Sequence, residues 1–278
     1  MPNLRIIYDN AADRAASLIA SNTAGSTNIL FTLNDAKGRI HRSTGLSVSY
    51  TLTWTNPESI GGVSLPASNL SGEATIRVRL YSDTAATALL VDSGTIFACP
   101  GNDIELWNWN LPLNANAFAF GGASKSTLWF DSHHAARACV IDLVDTSANV
   151  SGYIDCARLV VGSYWEPERH VQNGSMQIEL VDLSTTERSE GGDLVANRSI
   201  KHDRLRFDLA YLEETDRQQF MRIARLAGKS RNILVTVFPD NTNSVISQDT
   251  TIYGKVVNFA QSQQFYGFYS VPLEIEGW

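Results

Sequence analysis

At 278 residues, 44% hydrophobic and 18% charged, the chain is long enough for one large or two ordinary domains and reads as folded throughout. The formal charge of −7 is spread along its length, with 10 Lys and Arg against 13 Asp and Glu up to residue 165 and 12 against 16 beyond, so no basic patch for sequence-specific nucleic-acid binding is expected. The first residues lack the apolar core of a signal peptide and no apolar run reaches the ~20 residues that span a bilayer, so folding in a cytoplasm without membrane insertion is expected.

Period-two alternation, not helical periodicity, governs the first half. The run over 46–54 sets Leu46, Val48, Tyr50, Leu52 and Trp54 on one face and hydroxyl residues on the other. A second strand-like run covers 60–69. Over 74–81, Ile76, Val78 and Leu80 alternate with Thr75, Arg77 and Arg79, the pattern of a sheet wet on one side. Runs at 89–98, 126–130, 138–144 and 153–167 supply further strands, enough for two packed sheets. The longest connection, 99–125, is rich in Trp, Asn and Gly and is expected to cross one end of the sandwich. Cys99, Cys139 and Cys156 show no C-x-x-C spacing, and the last two lie inside apolar runs, so all three are expected as buried free thiols.

Around 166–174 the text turns polar, and Pro167 and Gly174 break the strand pattern, which places a domain boundary between 1–168 and 169–278. Beyond it, 176–181, 200–210, 232–238, 250–259 and 265–275 read as strands. A helix is predicted at about 215–227, with Thr215 as its cap, Gln218 completing a capping box and Gly228 at its C-terminal end. Phe220, Ile223, Ala224 and Ala227 share one face, so this helix should lie on a sheet.

No catalytic engine is visible, and the chain does not read as an enzyme. His133 and His134 are adjacent, but neighbours on a strand point to opposite faces and no third ligand stands nearby, so no metal site is expected. Gly-x-Ser-x-Gly, phosphate-loop and dinucleotide fingerprints are missing, as is a calcium-loop motif, and no cofactor is expected. Glu213 and Glu214 sit where acidic residues favour a helix N-terminus, and Glu274 and Glu276 alternate with Leu273 and Ile275 on a wet strand face, so neither pair reads as a glycosidase dyad. The candidate site is Trp107 and Trp109 with Asp103 and Glu105. Aromatic faces beside carboxylates are what a glycan site uses; the alternative is that these rings plug the end of the sandwich or form a subunit contact.

Through Ile60-Gly-Gly-Val-Ser-Leu, Ala74-Thr-Ile-Arg-Val-Arg-Leu-Tyr and Arg158-Leu-Val-Val-Gly the first domain resembles the galactose-binding-like jelly rolls of the discoidin and coagulation-factor type-C group. Through Arg5-Ile-Ile-Tyr-Asp-Asn-Ala-Ala-Asp-Arg, Arg42-Ser-Thr-Gly, Leu111-Pro-Leu-Asn-Ala-Asn-Ala-Phe-Ala-Phe-Gly-Gly and Val161-Gly-Ser-Tyr-Trp-Glu-Pro nearly the whole chain is similar to minor tail or baseplate proteins of long-tailed bacteriophages of Pseudomonas and relatives. The resemblance implies a mainly β chain, an N-terminal jelly-roll β-sandwich followed by a tail-tube or distal-tail-like β-sandwich with one α-helix. It implies a structural protein of the virion tail, assembled in the host cytoplasm, that forms a ring joining the tail tube to the host-recognition apparatus. Its partners would be further copies of itself, a hexamer favoured over a trimer, with the tail tube and other baseplate proteins. The alternative is a carbohydrate-binding tail module that contacts host surface glycans. No catalytic motif is carried over.

Overall fold

The computed structural model describes residues 3–101, 115–240 and 244–278. The chain is mainly β and divides into two compact units, one of Met1–Glu166 with Thr236–Thr251, the other of Pro167–Val235 with Ile252–Trp278. Among the described residues no helix is long and apolar enough to cross a membrane.

The first unit opens with β1 (Arg5–Ile7) and β2 (Ser17–Ala20), and β3 (His41–Arg42) follows a long connection. Its frame is the pair β4 (Ser47–Ser68) and β8 (Ser124–Val144), antiparallel along nearly their whole length. The sequence runs at 46–54 and 60–69 are therefore one strand, as are those at 126–130 and 138–144. Between Thr53 and Glu58, around Pro57, the register shifts and the pair turns a corner. β5 (Thr75–Tyr81) pairs with β8, and β6 (Leu89–Asp92) and β7 (Ile96–Phe97) line the outer edge of β5 in place of the single strand predicted at 89–98. β9 (Asp155–Cys156) and β10 (Val160–Gly162) pair with β4, as does β2. The result is an antiparallel jelly-roll β-sandwich.

The predicted faces are the faces that pack. Val48, Tyr50, Leu52 and Trp54 are buried together with Ile76, Val78, Leu80, Cys139, Ile141 and Leu143 in one core. Each fully buried large side chain contributes about 1.5–3 kcal/mol over an exposed one, and the Trp54 indole also donates to the Ala11 carbonyl at 2.8 Å. On the wet face, Arg77 pairs with Asp92 and Arg79 with Asp142. All three cysteines are free and buried, as expected.

In the second unit β11 (Gln177–Asp182) and β12 (Thr185–Arg188) run out along a ribbon, and β13 (Leu194–Asn197) and β14 (Lys201–Leu212) return. Helix α1 (Glu214–Ala227) and β15 (Ile233–Thr236) follow. A second helix absent from the sequence reading, α2 (Ser244–Asp249), belongs to the first unit. β16 (Thr251–Phe259), β17 (Ser262–Phe265) and β18 (Phe268–Gly277) close the chain. The sheet order is β15-β16-β18-β14-β11, with β17 also on β18. One sheet face carries Val256, Val271, Leu273, Ile275, Leu205, Phe207 and Leu209, all buried. Phe220, Ile223 and Ala227 of α1 are buried as predicted, and Phe220 meets Phe259 at 6.2 Å between ring centroids.

The cap expected at Thr215 is a correction. Glu213 is the N-cap, with no side-chain cap bond, which leaves Thr215 inside the first turn where its hydroxyl cannot cap. Nor does Gln218 complete a capping box: it donates to Glu214 at 2.9 Å, beside the Arg217–Glu214 ion pair. Gly228 ends the helix with a positive φ of +53°, as the sequence suggested, but its ψ of −154° is not that of a left-handed helical residue.

Candidate functional site

Both ends of the β4–β8 pair and the start of β5 meet at one end of the first unit, where Ser47 and Thr75 each pair with Val144 and Ser68 pairs with Ser124. The connections 69–74, 98–123 and 145–154 leave from there. Their backbone needs polar partners, because short loops cannot satisfy their own amides. Asp145 supplies them, accepting from Ser71 N at 3.0 Å, Ser71 Oγ at 2.5 Å, Thr146 N at 2.8 Å and Asn149 Nδ2 at 2.9 Å. Asn149 Nδ2 also reaches the Asn69 carbonyl at 3.0 Å, and Asn69 holds the Tyr153 carbonyl at 3.0 Å and the Asp155 amide at 2.7 Å. These buried groups are spent on holding the loops in place.

What faces outward on this frame is Arg42. Its Nε and Nη2 donate to Asp155 Oδ1 and Oδ2 at 2.8 and 2.9 Å, and its guanidinium lies 3.9 Å from the centroid of the Tyr153 ring. The carboxylate raises the arginine pKa above its ordinary value. The side-on fork leaves Nη1 on the side away from Asp155, and the side chain is 36% exposed. Next to it in sequence, His41 is fully buried, its Nδ1 3.0 Å from the Tyr50 hydroxyl and its Nε2 3.1 Å from Thr23 Oγ1. Burial lowers the His41 pKa below the usual 6.5. The arrangement is a fixed planar cation with hydrogen-bond donors, set on an aromatic ring.

The four residues picked out in the sequence, Asp103, Glu105, Trp107 and Trp109, lie outside the described residues. The stem that carries them is described: Asn116 Nδ2 donates to the Cys99 carbonyl at 2.9 Å and to the Leu70 carbonyl at 3.0 Å. The described residues on either side of 102–114, Cys99 and Asn116, thus meet at the end of the sandwich that bears Arg42. Sequence reading missed the Arg42–Tyr153–Asp155 group because Arg42 lies more than a hundred residues before the other two and the three share no motif.

His133 and His134 lie toward the corner end and have different partners. The His133 ring is 4.4 Å from that of Tyr164, with Nε2 3.1 Å from the Tyr164 carbonyl, whereas His134 meets Phe130 edge-on at 5.8 Å. Tyr164 also carries the Arg5 guanidinium at 4.1 Å, which is paired with Glu166 at 2.8 Å. Among the described residues no group of three or more His, Cys, Asp or Glu is placed to hold a metal ion. Glu274 pairs with Arg206 at 2.9 Å and Glu276 with His202 at 2.9 Å, so these carboxylates serve the sheet surface.

No protein family matches the chain, and no curated protein matches it significantly. Solved structures similar to part of it include a CBM32 module of a family 31 glycoside hydrolase from Clostridium perfringens, at 15% identity and TM-score 0.38 over 55% of this chain and 92% of that one. The CBM32 of AlyQ in complex with 4,5-unsaturated mannuronic acid is similar at 14% identity and TM-score 0.34, over 53% and 94%. The lectin domain of lectinolysin complexed with Lewis B antigen is similar at 13% identity and TM-score 0.37, over 56% and 99%. At these values the fold is read from the chain's own strand order.

Proposed function

We propose that the first unit binds carbohydrate at its loop end and that the chain contacts surface glycans of a host. The observation that carries this is the Arg42 fork, fixed by Asp155 on the Tyr153 ring beside the stem of the 102–114 segment. A rigid donor array costs little ordering entropy when it meets sugar hydroxyls or a sugar carboxylate, and the sequence adds Trp107 and Trp109, residues with aromatic faces of the kind sugars stack on. The reading needs no turnover. A glycan array probed with the whole chain, followed by calorimetry on the best glycan, tests it. Loss of that binding in both Arg42→Ala and the Trp107→Ala/Trp109→Ala double variant supports the reading, and an array with no signal above an unrelated protein rejects it.

A second reading is structural: a component of a phage tail tip or baseplate, in the virion, forming a ring with itself that joins the tail tube to the host-recognition apparatus. The β12–β13 ribbon favours it, because Leu194 and Val195 are 63% and 57% exposed on an element with no other described strand beside it. An isolated two-stranded ribbon is marginal in water, and a neighbouring subunit would cover it. Negative-stain images of the purified chain decide: closed rings with a central hole support the reading, and single particles of monomer size at every concentration reject it.

A further inference from the structure

We infer that the outer edge of β11 pairs antiparallel with the same edge of a second copy of this chain, about a two-fold axis at Glu179. The inference rests on the second unit alone and on neither reading above.

β11 is the last strand of its sheet, and no described strand lies on its outer side. Such an edge presents a row of backbone donors and acceptors that templates pairing with another strand. Natural edges are blunted by proline, by bulges or by inward-pointing charge; the β11–β14 pairing has an unbroken register from Gln177 opposite Arg206 to Asp182 opposite Lys201. The face matters as much as the edge. Ile178 stands opposite Leu205, which shares its side of the sheet with Phe207 and Leu209, so Ile178 and Leu180 continue the apolar face that α1 covers further in. They are nevertheless 48% and 63% exposed, and along the same ribbon Leu183 and Ile200 are 50% and 69% exposed.

The strand's own pattern favours a second copy as the occupant. With Glu179 opposite its counterpart, Ile178 of each copy lies beside Leu180 of the other and Gln177 beside Val181, so both apolar faces fall on one side. A slip of one residue would set apolar side chains against the opposite face. The contact is isologous, each copy giving and receiving the same edge. Its one unfavourable element is the pair of Glu179 carboxylates at the axis, each within 3.9 Å of Arg204 on the neighbouring strand of its own copy.

The test is absolute mass by light scattering over a concentration series on the whole chain. The expected result is a rise to twice the monomer mass. Leu180→Lys should weaken the association by about tenfold or more, and Glu179→Gln, which removes the like-charge pair, should strengthen it. Because Leu180 and Glu179 are exposed in the single chain, an unchanged circular-dichroism spectrum confirms that each variant folds, while the melting temperature is left to follow the dimer. Glu179→Cys should give a disulfide-linked dimer on mild oxidation, with the three buried native thiols as silent background. A monomer at every concentration overturns the inference, and so does a larger assembly whose mass ignores Leu180→Lys and whose Glu179→Cys variant does not cross-link. Neither outcome touches glycan binding by the first unit, which is read on a different assay.

Discussion

Gly62 on β4 lies beneath the indole of Trp129, its cross-strand partner on β8: a Cβ at position 62 would come within 2.5 Å of Trp129 Cε3 and 2.6 Å of Cζ3. The missing side chain makes room for the indole against the strand, where Trp129 is only 3% exposed. Gly62→Ala should therefore overpack the sandwich and cost about 1–3 kcal/mol, read as a lower denaturant midpoint. Trp129→Leu in the same chain should recover part of that loss. Equal midpoints for parent and Gly62→Ala would show that the indole moves aside freely.

Asp145 holds the loop end together through four donors. Asp145→Ala strands the buried Ser71 and Asn149 groups and should cost at least about 2 kcal/mol. It should also weaken glycan binding, because the frame under Arg42 and Tyr153 loosens. Chemical denaturation beside calorimetry separates the two effects. Full stability in Asp145→Ala would mean that the loops are held by other contacts.

Arg42→Lys keeps the charge but loses the planar fork on Asp155 and the stack on Tyr153. Glycan affinity should fall nearly as far as in Arg42→Ala. Stability should change by less than about 1 kcal/mol, since the pair is partly solvent-exposed. Lysine restoring full affinity would show that charge alone is read.

His41 is fully buried and its pKa is lowered by burial, so the unfolded chain takes up the proton first. A histidine held neutral contributes stability that is present above the ordinary value of 6.5 and is lost as pH falls below it. The melting temperature should drop between about pH 7 and about pH 5, and His41→Gln should flatten that slope. His170 in the second unit, also lowered by burial, leaves a remainder. An identical slope in His41→Gln would locate the pH response elsewhere.

Burial raises all three thiols, pushing Cys99 and Cys156 to about 12 and Cys139 further still. Thiolate is the reactive form, so the native chain should be inert to a thiol reagent and show three reactive groups once denatured. Rapid labelling of the native state would point to local opening of the core around Cys139.

The amino-acid order alone determined which side chains face inward. Val48, Tyr50, Leu52 and Trp54, then Ile76, Val78 and Leu80, could be assigned to a core, and so could Phe220, Ile223 and Ala227 on the helix, because burial follows a local period of two or 3.6 residues. Which segments join was decided only in three dimensions. That 46–54 and 60–69 are one strand bent around Pro57 follows from their pairing with β8, from Ser47 opposite Val144 to Ser68 opposite Ser124. That Arg42 meets Tyr153 and Asp155 depends on β3 pairing with β9. Periodicity is written within a strand, whereas register and neighbour are set by the packing of remote strands into a shared core, and no stretch of the chain carries that information by itself.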